Sequence, residues 1–426
     1  MRDNSSRTGS GALDERGVLD LLARLVQTPS HPGIPRQEEG VARHLFDYLA
    51  GHGLAPELVE VAPGRPNLLC TVAAARDRSG RSADRSGRSA EGSGSPAGRR
   101  LLLCGHTDTV PLNAGDPGVG FSGEVREGRL HGRGSVDMKG AIAAMAAALT
   151  ALAAEGGPAA GEVTLAAVVD EEMEGLGAER LVASGVTADG AVVGEPTGNR
   201  PCLGHKGLEW LEVEITGRAA HGGTPRAGVN AIVGAARFVQ LVEDELLPRL
   251  AERAHPLLGP PTLNFGTVRG GDQPSTVAAS CVLALDRRSV PGESSPSMVR
   301  ELEELLARVR EAMPGLATAV RRFPGGAGDL ERRAFVTPAD HPLARAVAGA
   351  CEEVAGGAPE FGSFPAWTDG GWLVAPGGIP TLILGPGDLA LAHSPREAVP
   401  VSEVLEATRI YLATARRFCA GEGLPR

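Results

Sequence analysis

Lysine is almost missing from this chain: of 42 basic residues only Lys139 and Lys206 are lysine, and the rest are arginine. With 59 glycines and abundant alanine, that bias reads as the codon usage of a GC-rich genome and not as a functional signal. Aromatics are scarce too, at 3% of 426 residues, which leaves little material for the stacking platforms of nucleic-acid binders. Positive charge is not in excess either. A net charge of −10 argues against nucleic acid or an anionic membrane as a general partner. The six cysteines (Cys70, Cys104, Cys202, Cys281, Cys351, Cys419) form no CxxC and no compact framework. They read as small buried hydrophobes of a reducing compartment, which makes a cytoplasmic location the expectation. The opening MRDNSSRTGSGALDERG has no apolar core of the kind a secretory leader needs. The longest uncharged stretch, 370–387, is broken by three prolines and six glycines and is no spanning helix. What is present is 42% apolar and 22% charged residues, enough to bury a core, over a length that suggests two or three domains.

Along the chain, apolar spacing predicts helices over 13–26 and 37–49 and strands over 56–61 and 67–73. Between 76 and 100 the sequence repeats DRSGRSA twice and then runs in Gly, Ser and Pro. Such a segment has too little apolar surface to fold and reads as a disordered insert between two strands. From Leu101 short apolar runs alternate with helical stretches: LLLCGHTDTV, a helix over 140–154, VTLAAVV, a helix over 177–184, then GAVVG. This grammar indicates an α/β fold with buried, mostly parallel strands. Around Gly204 the pattern changes. GLEWLEVEITG alternates like a strand buried on one face, and a helix over 230–250, strands TLNFGTVRG and VAASCVLALDRR, a helix over 297–312 and a strand over 316–323 follow. That β-α-β-β-α-β order is the split βαβ sandwich and reads as an inserted domain. After 328 the α/β grammar returns with a helix over 342–355, the strand TLILG and a last helix over 401–418. The expected division is a catalytic domain over 1–203 and 329–426, interrupted by a lid over 204–328.

Five segments place a metal-competent side chain after an apolar strand or in a loop: GHTDTVP (His106, Asp108), GRGSVDMKG (Asp137), VVDEEMEG (Asp170, Glu171, Glu172), VVGEPTG (Glu195) and AHSPREAV (His393). In open α/β sheets ligands gather beyond the carboxyl ends of strands, so these positions can converge. Each alone has a plainer reading. His-x-Asp is common, an acidic run after a strand is often a solvated helix start, Glu195-Pro196 could end a strand, and His393 could be an ordinary loop histidine. Their joint occurrence in order is what points to a metal centre. A mix of imidazole and carboxylate donors suits Zn²⁺, with Co²⁺ or Mn²⁺ less specific alternatives. So many carboxylates in one cleft need cations to neutralise them, and two ions sharing a carboxylate at a separation of about 3.5–4 Å would do so.

These segments together resemble those of the zinc aminoacylase and exopeptidase family that includes acetylornithine deacetylase, succinyl-diaminopimelate desuccinylase, aminoacylase and glutamate carboxypeptidase. The resemblance implies a phosphorylase/hydrolase-like α/β catalytic domain with an inserted ferredoxin-like (βαββαβ) dimerisation lid. Carried over residue by residue, it assigns His106 and Glu195 to one metal and Glu172 and His393 to the other, with Asp137 bridging both. Asp108 would orient His106, and Glu171 would be the general base. Lys139 is either a counter-charge to this site or a plain helix-start lysine. In the lid, GRAAHGGTPRAGVNAI resembles the segment whose histidine, here His221, reaches into the partner subunit's active site to hold an oxyanion. Arg288 in LDRRSVPGE matches an arginine that binds a substrate carboxylate, with Arg287 the neighbouring candidate, and Thr368-Asp369-Gly370 matches a substrate-side loop. The chain departs from the pattern at Ser275 and Ala278, and near His393 at Arg396 and Ala398, although Glu397 is retained. These positions lie on the substrate side and leave the substrate's identity open.

The implied activity is a metal-dependent amidohydrolase acting on a small N-acyl amino acid or related acyl amine that carries a carboxylate, working as a homodimer. A dipeptidase or carboxypeptidase would use the same residues. A catalytically silent binding paralogue would show a lost ligand or a lost Glu171, and neither is lost here. No clean GxGxxG opens a helix after a strand, so a nucleotide-binding role is disfavoured.

Overall fold

The computed structural model describes residues 13–75, 98–115, 118–323 and 331–420. The expected disordered insert over 76–100 falls mostly outside the described residues, and its last position, Arg100, already opens a strand. The chain divides into two compact units, one of Met1–Leu203, Thr337–Gly362 and Thr368–Arg426, the other of Gly204–Val336 and Ser363–Trp367.

In chain order the first unit begins with α1 (Glu15–Gln27) and α2 (Glu39–Gly51), then β1 (Glu57–Ala62), β2 (Arg65–Ala73) and β3 (Arg100–His106). After these come α3 (Gly140–Ala154), β4 (Glu162–Val168), α4 (Leu176–Ala183), β5 (Gly190–Val193) and β6 (Cys202–His205). The second unit holds β7 (Gly207–Thr216), α5 (Ala231–Leu241), β8 (Thr262–Gly270), β9 (Ser280–Ser289), α6 (Ser295–Ala312) and β10 (Ala317–Arg322). The first unit is then completed by α7 (Pro342–Ala355), β11 (Thr381–Ile383) and α8 (Val401–Ala420).

The first unit is a mixed α/β layer structure. Its large sheet runs β1-β2-β4-β3-β5-β11-β6. The four central strands β4, β3, β5 and β11 are parallel, and antiparallel pairs flank them on both sides. Strand β3 is buried along its length from Leu101, which is why it reads as a continuous apolar run without alternation. Helix α3 is alanine-rich and buried nearly all round, with Ala141, Ala143, Ala144, Ala146 and Leu149 among its core residues. Ser135–Ala154 has the length and apolar composition of a membrane span, but 89% of that window is buried inside the protein. Alanine favours the helix and keeps it slim enough to lie against the sheet.

Two glycines set how closely that helix approaches. A Cβ on Gly105 would come within 2.3 Å of Met138 Cε, and one on Gly194 within 2.6 Å of Ala141 Cβ. Each glycine immediately precedes a chemistry-bearing residue, His106 and Glu195. The close approach therefore brings the start of α3, with Asp137 just before it, against the ends of β3 and β5.

The second unit has β-α-β-β-α-β order and one antiparallel sheet, β8-β9-β7-β10. Its core alternates as the sequence does: Leu211, Val213 and Ile215 from β7 meet Cys281, Leu283 and Leu285 from β9, under Phe238 of α5 and Leu302, Leu305 and Leu306 of α6. The short strands Glu124–Arg126, Arg129–His131 and Ala398–Pro400 form a small separate sheet that periodicity does not reveal, because three residues carry no period. Phe238 is fully buried and meets Phe265 edge-on at 6.2 Å. Phe238→Ala should cost about 3–5 kcal/mol, read as a lower urea midpoint in a denaturation curve followed by tryptophan fluorescence; a midpoint within error of the parent would contradict this packing.

Candidate active site

Three carboxyl ends of neighbouring parallel strands lie side by side in the first unit. His106 closes β3, Glu171 and Glu172 follow β4, and Glu195 follows β5. Asp137 comes from the turn before α3, and His393 from the loop between β11 and α8. These elements bring the donors together. Asp137 Oδ1 lies 2.9 Å from His106 Nε2, and Asp137 Oδ2 lies 3.2 Å from His393 Nε2. On the first side His106 Nε2 is also 3.9 Å from Glu195 Oε1; on the second His393 Nε2 is 2.9 Å from Glu172 Oε1. Ligand atoms of His106, Asp137 and Glu172 all fall within 4.8 Å of one another. His393 holds a left-handed backbone, φ 60°, uncommon for a residue with a Cβ and costly unless its surroundings require it.

Asp108 organises two partners. Its carboxylate lies 3.4 Å from His106 Nδ1, while its two oxygens accept the backbone N–H groups of Glu171 and Glu172, each at 3.1 Å. The acidic segment 171–174 is thus a turn. Asp170, grouped with Glu171 and Glu172 as metal-competent, turns away from the cluster. Its backbone is left-handed (φ 72°), and its Oδ1 accepts from Arg65 at 2.6 Å, an arginine that also forks onto buried Glu38. Lys139 is fully buried and donates from Nζ to the Thr28 carbonyl at 2.8 Å, so it is no exposed helix-start lysine. Burial brings it down to about 7, against the pull of Glu397 and Asp108.

The electrostatics show a site with more negative charge than its protein surroundings balance. Burial, reinforced by Asp137, lifts the Glu195 carboxyl well above its usual range, and burial with Glu195, Asp369 and Glu172 does the same for Glu171. Glu172 is raised by burial and by Asp137. Burial opposes charge on His106, yet Asp108 and Asp137 overcome it and hold the ring's proton tightly. Hydrogen bonds to Asp137 and Glu172 push His393 up to about 10. Burial acts against ionised Asp137, but the two histidines outweigh it and hold its carboxyl below the usual range. Protons here stand in for cations: imidazole and carboxylate donors facing one another around a shared carboxylate are the donor set of a divalent metal pair. The residues fit such a group.

The remaining sequence candidates divide by unit. Thr368 and Asp369 are buried in the first unit, Thr368 Oγ1 accepting from the Gly370 N–H at 3.0 Å, and the Asp369 charge is felt by Glu171 and Glu195. In the second unit His221 is exposed, and its Nδ1 accepts from the Gly223 N–H at 3.0 Å, which leaves the proton on Nε2. Arg287 and Arg288 point to opposite faces of β9. Arg287 is buried and paired with Glu293 at 2.7 Å, whereas Arg288, on the open face, forks onto Asp286 at 2.8 and 3.1 Å. The sequence reading gave no role to Arg65, Glu38 or Arg133. They stand in polar or glycine- and proline-bearing stretches (PRQEEG, APGRPN, LHGRGSVD), and nothing in the sequence singles them out.

The sequence profile of peptidase family M20/M25/M40 matches residues 102–417. The chain belongs to this family. It is 29% identical over 421 residues to the acetylornithine deacetylase of Proteus mirabilis strain HI4320, covering 95% of this chain and 97% of that one. To the acetylornithine deacetylase of Myxococcus xanthus it is 33% identical over 335 residues, 77% of this chain and 82% of the other. Among solved structures, aminopeptidase PepT from Bacillus cereus superposes with a TM-score of 0.73 at 19% identity, over 95% of this chain and 99% of that one. A Bacillus subtilis protein described as a dinuclear metal binding peptidase from the M20 family superposes with a TM-score of 0.67 at 12% identity, over 96% and 99%. At such identities the likeness is one of fold. As an M20/M25/M40 member with this donor set, the protein is a metal-dependent amidohydrolase.

His393 keeps its proton to about 10, against roughly 6.5 for an unfolded histidine. A raised histidine contributes its full stability below the unfolded value and loses it as pH climbs through the folded one. Melting temperature of the chelator-treated protein should therefore fall between about pH 6.5 and about pH 10, and His393→Ala should flatten that slope; an unchanged slope in the variant would contradict the assignment.

Proposed function

We propose that the protein hydrolyses the amide bond of a small N-acyl amino acid or related acyl amine carrying a free carboxylate, with two zinc ions per chain, as a cytoplasmic homodimer. The observation that carries this reading is Asp137, whose two oxygens face His106 on one side and His393 on the other. One ion would be held by His106, Asp137 and Glu195, the second by Asp137, Glu172 and His393. Zinc fits two imidazoles among carboxylates, and Co²⁺ or Mn²⁺ are the alternatives. Bound there, the ions supply Lewis acidity, polarising the amide carbonyl and lowering the pKa of water.

Glu171 takes the proton from the attacking water and returns it to the leaving amine. A carboxyl held beside the metal-competent donors by a fixed turn suits that double duty. Asp108 holds the His106 ring and, through the Glu171 and Glu172 N–H groups, the turn that carries the base. His221, with its proton on Nε2, donates to the developing oxyanion of the neighbouring subunit. Arg288, on the open face of its sheet, takes the substrate carboxylate, while Thr368 and Asp369 border the substrate.

The second unit would then be the ferredoxin-like lid, and the first the phosphorylase/hydrolase-like catalytic domain. Dimerisation through the lid is supported by the edge strand β8, exposed along most of its length, and by the exposed apolar side chains Val268, Ile232 and Val233. All six cysteines are buried free thiols, consistent with a reducing compartment. The named activity of the curated relatives, acetylornithine deacetylase, supports an N-acyl amino acid as the substrate class.

The test is a hydrolysis panel of N-acetyl, N-succinyl and N-formyl amino acids with dipeptides alongside, using zinc-loaded protein. Turnover of an N-acyl amino acid should be abolished by a chelator and restored by zinc. It should fall by about 10²–10⁴ in Glu171→Ala, with metal content unchanged. Turnover confined to dipeptides would replace this reading with a dipeptidase, and a wild-type protein that binds no metal would remove it.

A further inference from the structure

Asp137 and His393 face each other across 3.2 Å but come from chain segments far apart in sequence. One buried carboxylate joins those segments. Glu397, four residues beyond His393 and fully buried, reaches back to the turn that carries Asp137. Its Oε1 accepts the backbone N–H groups of Gly134 at 2.8 Å, Val136 at 3.1 Å and Asp137 itself at 3.3 Å, while Oε2 pairs with the guanidinium of Arg133. Arg133 is in turn held by Asn113 Oδ1 at 3.1 Å. The main chain is tied at the same place. The Gly132 N–H donates to the Glu397 carbonyl at 3.0 Å, and Ala398 pairs with His131 in the small antiparallel sheet.

The other donors are anchored differently. His106 is the last residue of β3, within the parallel ladder to β4, and Glu195 lies two residues beyond β5. His393 has no ladder of its own and carries a left-handed backbone. Asp137 lies in an irregular turn with non-helical angles. Where the sheet does not fix a ligand, some other contact must, and at the Asp137 turn the carboxylate of Glu397, four residues along the chain from His393, is such a contact.

We infer that Glu397 is a positioning residue that keeps Asp137 and His393 in register, so that the metal position formed by Asp137, Glu172 and His393 depends on it more than the one formed by His106, Asp137 and Glu195. The inference rests on the metal reading above. Its physical content is reach: an acceptor oxygen must arrive at the three N–H groups, whether or not it is charged.

Two substitutions separate reach from charge. Glu397→Asp keeps the charge and withdraws the carboxylate by one methylene, whereas Glu397→Gln keeps an oxygen at full reach and discards the charge. Full-length protein stripped by chelator is titrated with Zn²⁺ in a calorimeter, and the two binding steps are read separately, with circular dichroism confirming the fold. Wild type should show two steps. In Glu397→Asp the step that is lost in His393→Ala should fall about 10- to 100-fold in affinity, with the other step moving less. Glu397→Gln should stay within a few-fold of wild type in both steps, even though its melting temperature falls because Arg133 is left without a charged partner. If Glu397→Gln does not fold, pairing it with Arg133→Met removes the stranded guanidinium, and the same binding steps are expected. A greater loss in Glu397→Gln than in Glu397→Asp would show that charge matters and not reach, overturning the inference. So would an equal loss in both steps of a folded Glu397→Asp, or no loss in either. Wild type that takes up no Zn²⁺ would instead sink the metal reading on which the inference rests.

Discussion

Asp137 divides its carboxylate between two histidines, one oxygen toward His106 and the other toward His393, and the rest of the first unit is organised around that sharing. A carboxylate buried at this depth is stable as an anion only where positive charge or hydrogen-bond donors face it. Without a metal, two protonated histidines provide it. Around them Glu171, Glu172 and Glu195 are each lifted by burial and by one another, so the acidic cluster cannot be fully ionised in the protein alone. The same crowding that makes the cluster costly gives it affinity for divalent cations.

The scaffold places these groups by combining a rigid sheet with adaptable turns. Strands β4, β3 and β5 deliver Glu171, Glu172, His106 and Glu195 from adjacent carboxyl ends, the location where open α/β sheets gather ligands. Gly105 and Gly194 remove the side chains that would keep α3 away, so the turn before α3 presses Asp137 into place. Buried polar side chains then finish what the sheet begins. Asp108 caps the turn after β4, Arg65 draws Asp170 away from the cluster, and Glu397 fastens the Asp137 turn. Each of these groups has its polar atoms engaged, as burial demands.

Much of this was legible beforehand. The change from continuous apolar runs to alternating ones near Gly204 reflects strands buried on two faces giving way to strands buried on one, and the alanine-rich helix Gly140–Ala154 and the helix Pro342–Ala355 fall where the sequence indicated. The ligand types and their order after strands pointed to a metal centre because a bare strand end frees a side chain from packing. Less legible were elements too short to have a period, such as Glu124–Arg126 and Arg129–His131, and the turn at 171–174.

Residue identity alone established the chemistry on offer: imidazoles and carboxylates in a spacing that suits divalent metals, and a chain grammar of α/β layers interrupted by a β-α-β-β-α-β segment. These are local properties, carried by side-chain type and by periods of two and 3.6 residues. Which of several equivalent side chains turns inward was settled only by long-range packing. Asp170 and Glu172 are two residues apart and chemically alike, but Arg65 from a distant strand claims the first and leaves the second to His393. Arg287 and Arg288 must point to opposite faces of a strand, yet only the helices packed over β9 decide which face is buried. Glu397 looked like one more acidic residue near a histidine, and its place beneath Asp137 follows from contacts 260 positions apart.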